Sequence, residues 1–430
     1  MVTVQFSTAP DRRKRETRDE LRMCFADITD NFVYSRNKGN IMEDFNDIDA
    51  IGPFKTDAEA VDAFQHIAAS PMLPKISKYF YPDKEGDYLK EQLLQMKSID
   101  DFQYVIMSKI VKRILETTAH NFSYDGIANI EDGRKFLMLS NHRDIILDPA
   151  ILQWVLYQNN LQPTEICVGD NLIQNKFIEY LIRSNRMIKV IRGVSARELY
   201  LSSQRLSRYI RNSITTGESS VWLAQRQGRT KDGYDTTEQG LLKMLDMSGR
   251  PGCFKENFEE LNIVPMSISY EIEPCDILKA REMFISKRDG KYVKGKGEDL
   301  NSILVGVTQQ KGNIHLNIGT PLTSEELSLA SLCDKNDRYQ YIRHAVNIRV
   351  VDGYRLWKNN YIAYDMLNEG GRFVGKYSEE DKNRFAAYME HQLDTIEPEL
   401  DRAGVREYFL KIYANPIVTK DIRAKGGLLV

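Results

Sequence analysis

The pattern of apolar and polar positions divides the chain into three textures. Over residues 1–118 strand alternation is absent, and after a polar start the pattern is mainly helical. Phe102, Ile106, Ile110 and Ile114 recur at every fourth position, which places them along one side of a helix. From about residue 134 short apolar runs alternate with helical stretches: "FLMLS", "EICVG", "MIKVI", "SSVWLA" and "NIVPMSISY", then "ILVGV" and "NIHLNIG". Such alternation predicts an α/β domain. The last two runs, joined through Gln309-Gln310-Lys311-Gly312, read as a hairpin closing its sheet. From about 325 the pattern is helical again, with the aromatic-rich "YRLWKNNYIAYDML" as its most apolar part. The expected organisation is a helical N-terminal region (1–118), an α/β domain (119–325) and a helical C-terminal region (326–430). No internal repeat or low-complexity segment interrupts it.

Composition narrows the functional classes. Hydrophobic content of 42% with 28% charged residues fits an ordinary globular protein, and a formal charge of -2 gives no reason to expect nucleic acid. Cys24, Cys167, Cys253, Cys275 and Cys333 are far apart and odd in number, so neither a disulfide framework nor a zinc site is expected, and a reducing cytoplasm is. No apolar segment of signal-peptide type opens the sequence and no run of about 18 apolar residues occurs, so neither secretion nor a membrane span is expected. Peripheral membrane contact needs only an apolar or basic face and stays compatible with the sequence. The basic run Arg12-Arg13-Lys14-Arg15 could touch phosphate, but it continues into Glu16, Asp19 and Glu20, which favours a solvated face or a frayed terminus.

The candidate chemistry lies in "SNHRDIILDPA", residues 140–150. Phe136-Leu137-Met138-Leu139 reads as a buried strand, and Asp148-Pro149 as a helix start with Asp as cap and Pro at the first helical position. His142 then sits in a strand-to-helix turn at a strand's carboxyl end, where α/β sheets present their ligands. Further strand ends carry Arg192 after "MIKVI", "QRQGRTKDG" at 225–233, and Pro265 within "IVPMSIS". In this order the four stretches resemble the glycerol-3-phosphate and lysophosphatidate acyltransferase family. Its blocks are an Asn-His-x4-Asp motif, a strand ending in Arg, a Pro-Glu-Gly-Thr-Arg motif and a strand with a central Pro. "SNHRDIILD", "QRQGRTKDG" and "ISYEIEPCD" resemble its bacterial 1-acylglycerol-3-phosphate branch, and the likeness covers roughly residues 120–325.

The resemblance implies a mixed sheet with surrounding helices and transfer of a fatty acyl chain from acyl-CoA or acyl carrier protein. The acceptor would be a hydroxyl of a glycerol phosphate or lysophospholipid, at the inner face of the cytoplasmic membrane, with no metal and no bound cofactor. His142 is the implied base, Asp148 its partner, and Asn141, Arg143, Arg192, Gln227, Gly228, Arg229, Lys231 and Pro265 the implied substrate contacts. Two departures stand out. Five residues rather than four separate His142 from Asp148, so Asp144 competes for the acid's role; Asp148 is preferred because Ile151, Leu152, Val155 and Leu156 form the expected helical face after it. Gln227 stands where the family has Glu and keeps an acceptor without the charge.

These residue types suit the chemistry. An imidazole with an ordinary pKa near ~6.5 can take a hydroxyl proton at neutral pH, and a carboxylate on its other nitrogen fixes the tautomer. Arginines offer bidentate donors to phosphate. Gly228 serves either a close backbone approach or a turn of positive φ, and Pro265 calls for a bulge or edge position. His66, His120, His315, His344 and His391 read as structural or exposed, and Asp232 and Asp235 as a polar turn. The stretch with Trp357 and Tyr361 either anchors at a membrane interface or packs the helical region onto the α/β domain. Two other functions fit the pattern: O-acylation of a lyso-aminolipid, and non-catalytic binding of a lipid or acyl carrier on the same fold.

Overall fold

The computed structural model describes residues 1–6, 47–173 and 175–427. The basic run at 12–15 and Cys24 lie outside the described residues. In chain order the main elements are β1 (Val2–Gln5), α1 (Asp57–Ala68), α2 (Ser108–Thr118), β2 (Ala119–Asp125), β3 (Leu137–Ser140), α3 (Leu147–Gln158), β4 (Glu165–Gly169) and β5 (Met187–Val190). These are followed by α4 (Ala196–Thr215), β6 (Val221–Ala224), β7 (Ile263–Tyr270), α5 (Asp276–Asp289), α6 (Glu298–Thr308) and β8 (Gly312–Ile318). The C-terminal region holds α7 (Asp337–Gly353), α8 (Lys358–Asn368), α9 (Glu379–Leu393) and α10 (Arg402–Ala424).

The eight strands form one mixed sheet in the order β1-β2-β8-β7-β3-β6-β4-β5. β7, β3, β6, β4 and β5 run parallel to one another, so their carboxyl ends meet along one edge. Side-chain alternation sorts the core into two layers. Leu137, Leu139, Val221, Leu223 and Ile263 face one cluster with α4 and α7, whereas Met138, Trp222, Val264, Met266 and Ile268 face the other with α2 and α3. Coverage on both faces is why these strands read as unbroken apolar runs.

The described residues of the N-terminal region are mainly helical but add a strand, β1, which pairs antiparallel with β2 at the sheet edge. The four-residue spacing of Phe102, Ile106, Ile110 and Ile114 joins two cores: the first two residues pack among the N-terminal helices, Ile114 under the sheet, and Ile110 against both. Residues Phe102–Met107 form a π-helical turn at that junction.

The expected closing hairpin is not formed. "ILVGV" lies in α6, and β8 pairs parallel with β2 and antiparallel with β7. A short apolar run does not by itself separate a strand from a buried helix, and Glu298 and Asp299 in the first turn favour the helix through its dipole. α6 crosses the carboxyl edge of the parallel strands. At its start Asn171, just past β4, donates to Asp299 (3.1 Å), and at its end Gly306 lies against Asp144, just past β3.

Pro265 occupies neither an edge nor a bulge. It pairs with Leu139 in a strand flanked by β8 and β3. Its carbonyl accepts from Gly319 (2.8 Å), the first residue past β8, so the missing donor falls where β8 has ended. The aromatic stretch at 354–367 packs inward, with Ile362 and Ala363 in the C-terminal core, Tyr361 against Phe373 (5.1 Å) and Arg355 over Trp357 (5.7 Å). Among the described residues no helix is long and apolar enough to cross a membrane.

Candidate active site

His142 is the second residue past β3 and stands edge-on to Trp222 of β6, with ring centroids 5.5 Å apart. Its Nδ1 lies 2.9 Å from Asp148 Oδ2. The same carboxylate oxygen accepts the backbone N–H groups of Arg143 (2.5 Å) and Asp144 (2.8 Å), and Oδ1 accepts the Tyr270 hydroxyl (2.8 Å). An oxygen that accepts from two amides is an acceptor toward the ring as well, so Nδ1 carries the proton and Nε2 is left basic. Burial beside Asp148 raises the Tyr270 pKa well above its ordinary value, which keeps the phenol a donor.

Asp148 does not cap its helix as the sequence suggested. α3 begins at Leu147, Ile146 gives no side-chain cap, and the Asp148 carboxylate turns back to His142. Asp144 serves the helix start instead: its Oδ1 accepts the N–H groups of Ile146 (2.9 Å) and Leu147 (2.8 Å). Its Oδ2 is buried without a hydrogen-bond partner and faces Gly306, where an added Cβ would come within 2.1 Å of that oxygen. The extra residue between His142 and Asp148 is thus taken up by a turn that Asp144 ties down.

Two expected substrate contacts are internal braces. Asn141 is fully buried; its amide donates to the Ile268 carbonyl (3.0 Å) and accepts the Ile268 N–H (2.8 Å), extending the pairing of β3 with β7 by one side chain. Arg143 is also fully buried, with Nη2 2.6 Å from Asp235, Nη1 3.3 Å from Glu273 and Tyr354 under its guanidinium. Burial alone would lower its pKa, and the two carboxylates hold it well above its ordinary value. Lys279 completes the cluster by donating to Glu273 (2.6 Å) and to the Arg143 carbonyl (2.7 Å). Asp235, read from sequence as a polar turn, is a central acceptor here, taking also Asn141 (3.0 Å) and Thr230 (2.9 Å). Sequence reasoning missed Tyr270, Glu273 and Lys279, because isolated polar residues beside an apolar strand carry no periodic signal.

The 225–233 loop contributes differently from expectation. Thr230 donates to the His142 carbonyl (2.7 Å), which brings its neighbour Arg229 to the site. Arg229 is 8% exposed, has a buried Nη1 without a partner, and lines an open cavity of about 250 Å³. The cavity is walled also by Lys279, Lys294, Ile277, Leu278 and Ile396; His142 is not among its walls. Lys231 is paired with Glu282 of α5, and desolvation lowers its pKa. Gln227 is exposed, while Gln225 is buried, its N–H donating to the Ser140 carbonyl (2.8 Å). Gly228 has φ +74° and open space where a Cβ would stand, so it serves a turn rather than a close approach. Arg192 follows β5, three strands from β3, and packs on Gly169 with its N–H on Asp170 (3.1 Å).

The Acyltransferase family model matches residues 121–269, from β2 through β7. A crystal structure of the 1-acyl-sn-glycerophosphate (LPA) acyltransferase PlsC from Thermotoga maritima is similar over 69% of this chain and 95% of that one, at 14% identity and a TM-score of 0.37. No curated protein matches the sequence. The matched stretch holds His142, Asp148 and Arg229, but Glu273, Lys279 and most walls of the cavity lie beyond it. Among the described residues no group of three or more His, Cys, Asp or Glu could hold a metal ion.

Proposed function

We propose that the chain is an O-acyltransferase that moves a fatty acyl group from acyl-CoA or acyl carrier protein to a hydroxyl of a glycerol phosphate or lysophospholipid. The observation that carries this reading is the 2.9 Å contact from His142 Nδ1 to Asp148 within the stretch that matches the Acyltransferase family model. His142 Nε2 takes the acceptor's hydroxyl proton as that oxygen attacks the thioester carbonyl, and Asp148 stabilises the imidazolium formed. The proton then passes to the departing thiolate. No protein nucleophile is required, because the acceptor oxygen has that part. Arg229 is the cation best placed for an acceptor phosphate, being buried, incompletely partnered and on the cavity wall. The reaction would run at the inner face of the cytoplasmic membrane, with the chain bound peripherally.

One observation favours a second reading, O-acylation of a lyso-aminolipid without phosphate. Arg143 and Lys231, two of the expected phosphate ligands, are already neutralised by carboxylates. Purified protein offered acyl-CoA and acyl carrier thioesters with glycerol 3-phosphate, lysophosphatidate and a lyso-aminolipid separates the two by thiol release and mass spectrometry of the products. Transfer to the phosphorylated acceptors supports the first reading and transfer only to the lyso-aminolipid the second. No transfer with any pair leaves a lipid- or carrier-binding protein.

A further inference from the structure

Among the described residues, the last turn of α5 and the loop joining it to α6 form a strongly cationic exposed stretch near the site. Between Ser286 and Gly297 it holds Lys287, Arg288, Lys291, Lys294 and Lys296 against the single carboxylate of Asp289, in a chain of formal charge -2. All six are exposed, as is Val293 at 75% in the middle of the lysines. The loop is held at its base: Tyr292 accepts from Arg281 (2.7 Å) and donates to Glu298 (2.7 Å), and Lys294 pairs with Asp299 (2.5 Å). Tyr292 and Lys294 are also walls of the cavity that Arg229 lines.

We propose that this loop docks the protein on an anionic lipid bilayer, setting the mouth of the Arg229 cavity against the membrane. Lys287, Lys291 and Lys296 attract acidic headgroups, and Val293 enters the interfacial layer between them. An acidic protein partner would use the same charges, but an apolar tip ringed by lysines matches the graded polarity of a bilayer surface. Elsewhere the chain is net acidic and is repelled by such a surface, so the loop fixes the orientation as well as the attraction. The proposal rests on the functional reading only in directing a lipid acceptor to that cavity, since the docking itself needs no catalysis.

The test is flotation of the full chain with vesicles of phosphatidylcholine alone and of phosphatidylcholine mixed with phosphatidylglycerol. The wild type should float only with the mixed vesicles and should be released by high salt, because the attraction is screened. The K287E/K291E/V293S/K296E variant should bind at least about tenfold more weakly, with unchanged thermal unfolding and unchanged transfer to a detergent-dispersed acceptor. Wild type that stays with the protein fraction, or a variant that floats as the wild type does, overturns the proposal. So does a variant that floats normally yet loses activity with an acyl carrier protein donor, which would make the loop a protein-docking surface. If the wild type floats but transfers no acyl group, the functional reading fails and the docking stands.

Discussion

His142 and Asp148 are joined at 2.9 Å, and the Asp148 oxygen that meets the ring also receives the amides of Arg143 and Asp144. Asp144 meets Ile146 and Leu147 instead, so the two aspartates of the motif have separate tasks. Asp148→Asn should therefore lower kcat by at least about a hundredfold, because the imidazolium loses its counter-charge. Asp144→Asn should cost about 1 kcal/mol of stability and less than about tenfold in kcat, as expected for loss of a helix-start acceptor. Steady-state kinetics with urea unfolding of both variants checks this; the reverse order of kcat losses would make Asp144 the catalytic partner.

The two arginines flanking the site differ in kind. Removing Arg143 leaves Asp235 and Glu273 buried beside each other with only Lys279 to offset them. Arg143→Ala should then destabilise the fold by about 3–5 kcal/mol. Arg229→Ala removes a side chain with spare donor capacity on a cavity wall, so it should raise the KM for a phosphorylated acceptor about tenfold with kcat less affected. A stable Arg143→Ala protein with a raised acceptor KM would place Arg143 in contact with substrate.

Gln227, which stands where the family that the sequence resembles has Glu, lies at an exposed loop position. Gln227→Glu should change kcat/KM by less than about twofold, since a solvated side chain contributes little to either state. A rise of about tenfold, worth about 1.4 kcal/mol, would show that a carboxylate there does reach the acceptor.

Glu165 at the start of β4 is buried against α4, accepting from Tyr209 (3.1 Å) and Ser213 (3.4 Å), and burial pushes its carboxyl up to about 7 from an ordinary 4.5. A carboxyl whose folded pKa is raised contributes stability below its unfolded value and loses it as pH rises through the folded value. The wild type should lose about 3 kcal/mol relative to Glu165→Gln between pH 4.5 and pH 8. Urea unfolding of both proteins across this range checks it, and parallel pH profiles would contradict the assignment.

The strands that frame the candidate site are legible in the sequence, and the reason is periodicity. The runs at 137–140, 221–224 and 263–270 are strands because their alternate residues meet apolar layers on both faces, and that doubles as the signal that places His142 at a carboxyl end. The run at 303–307 misled because five apolar residues fit a buried helix as well as a strand. Asn141 and Arg143 read as ligands because polar residues beside the candidate histidine look available; their partners Ile268, Asp235 and Glu273 lie about 90 to 130 positions away, beyond any local pattern. The cavity is illegible for the same cause, as its walls come from the 229 loop, α5, the loop after it, α6 and the turn before α10.

The most direct measurement is single-turnover acyl transfer by purified wild type and His142→Ala, with the acceptor identified by product analysis and the folded state of both confirmed by thermal unfolding. The variant should remain folded and transfer at least about 10²-fold more slowly, the lower end of what a general base contributes. A folded His142→Ala protein that transfers acyl groups at the wild-type rate would contradict the account at its centre.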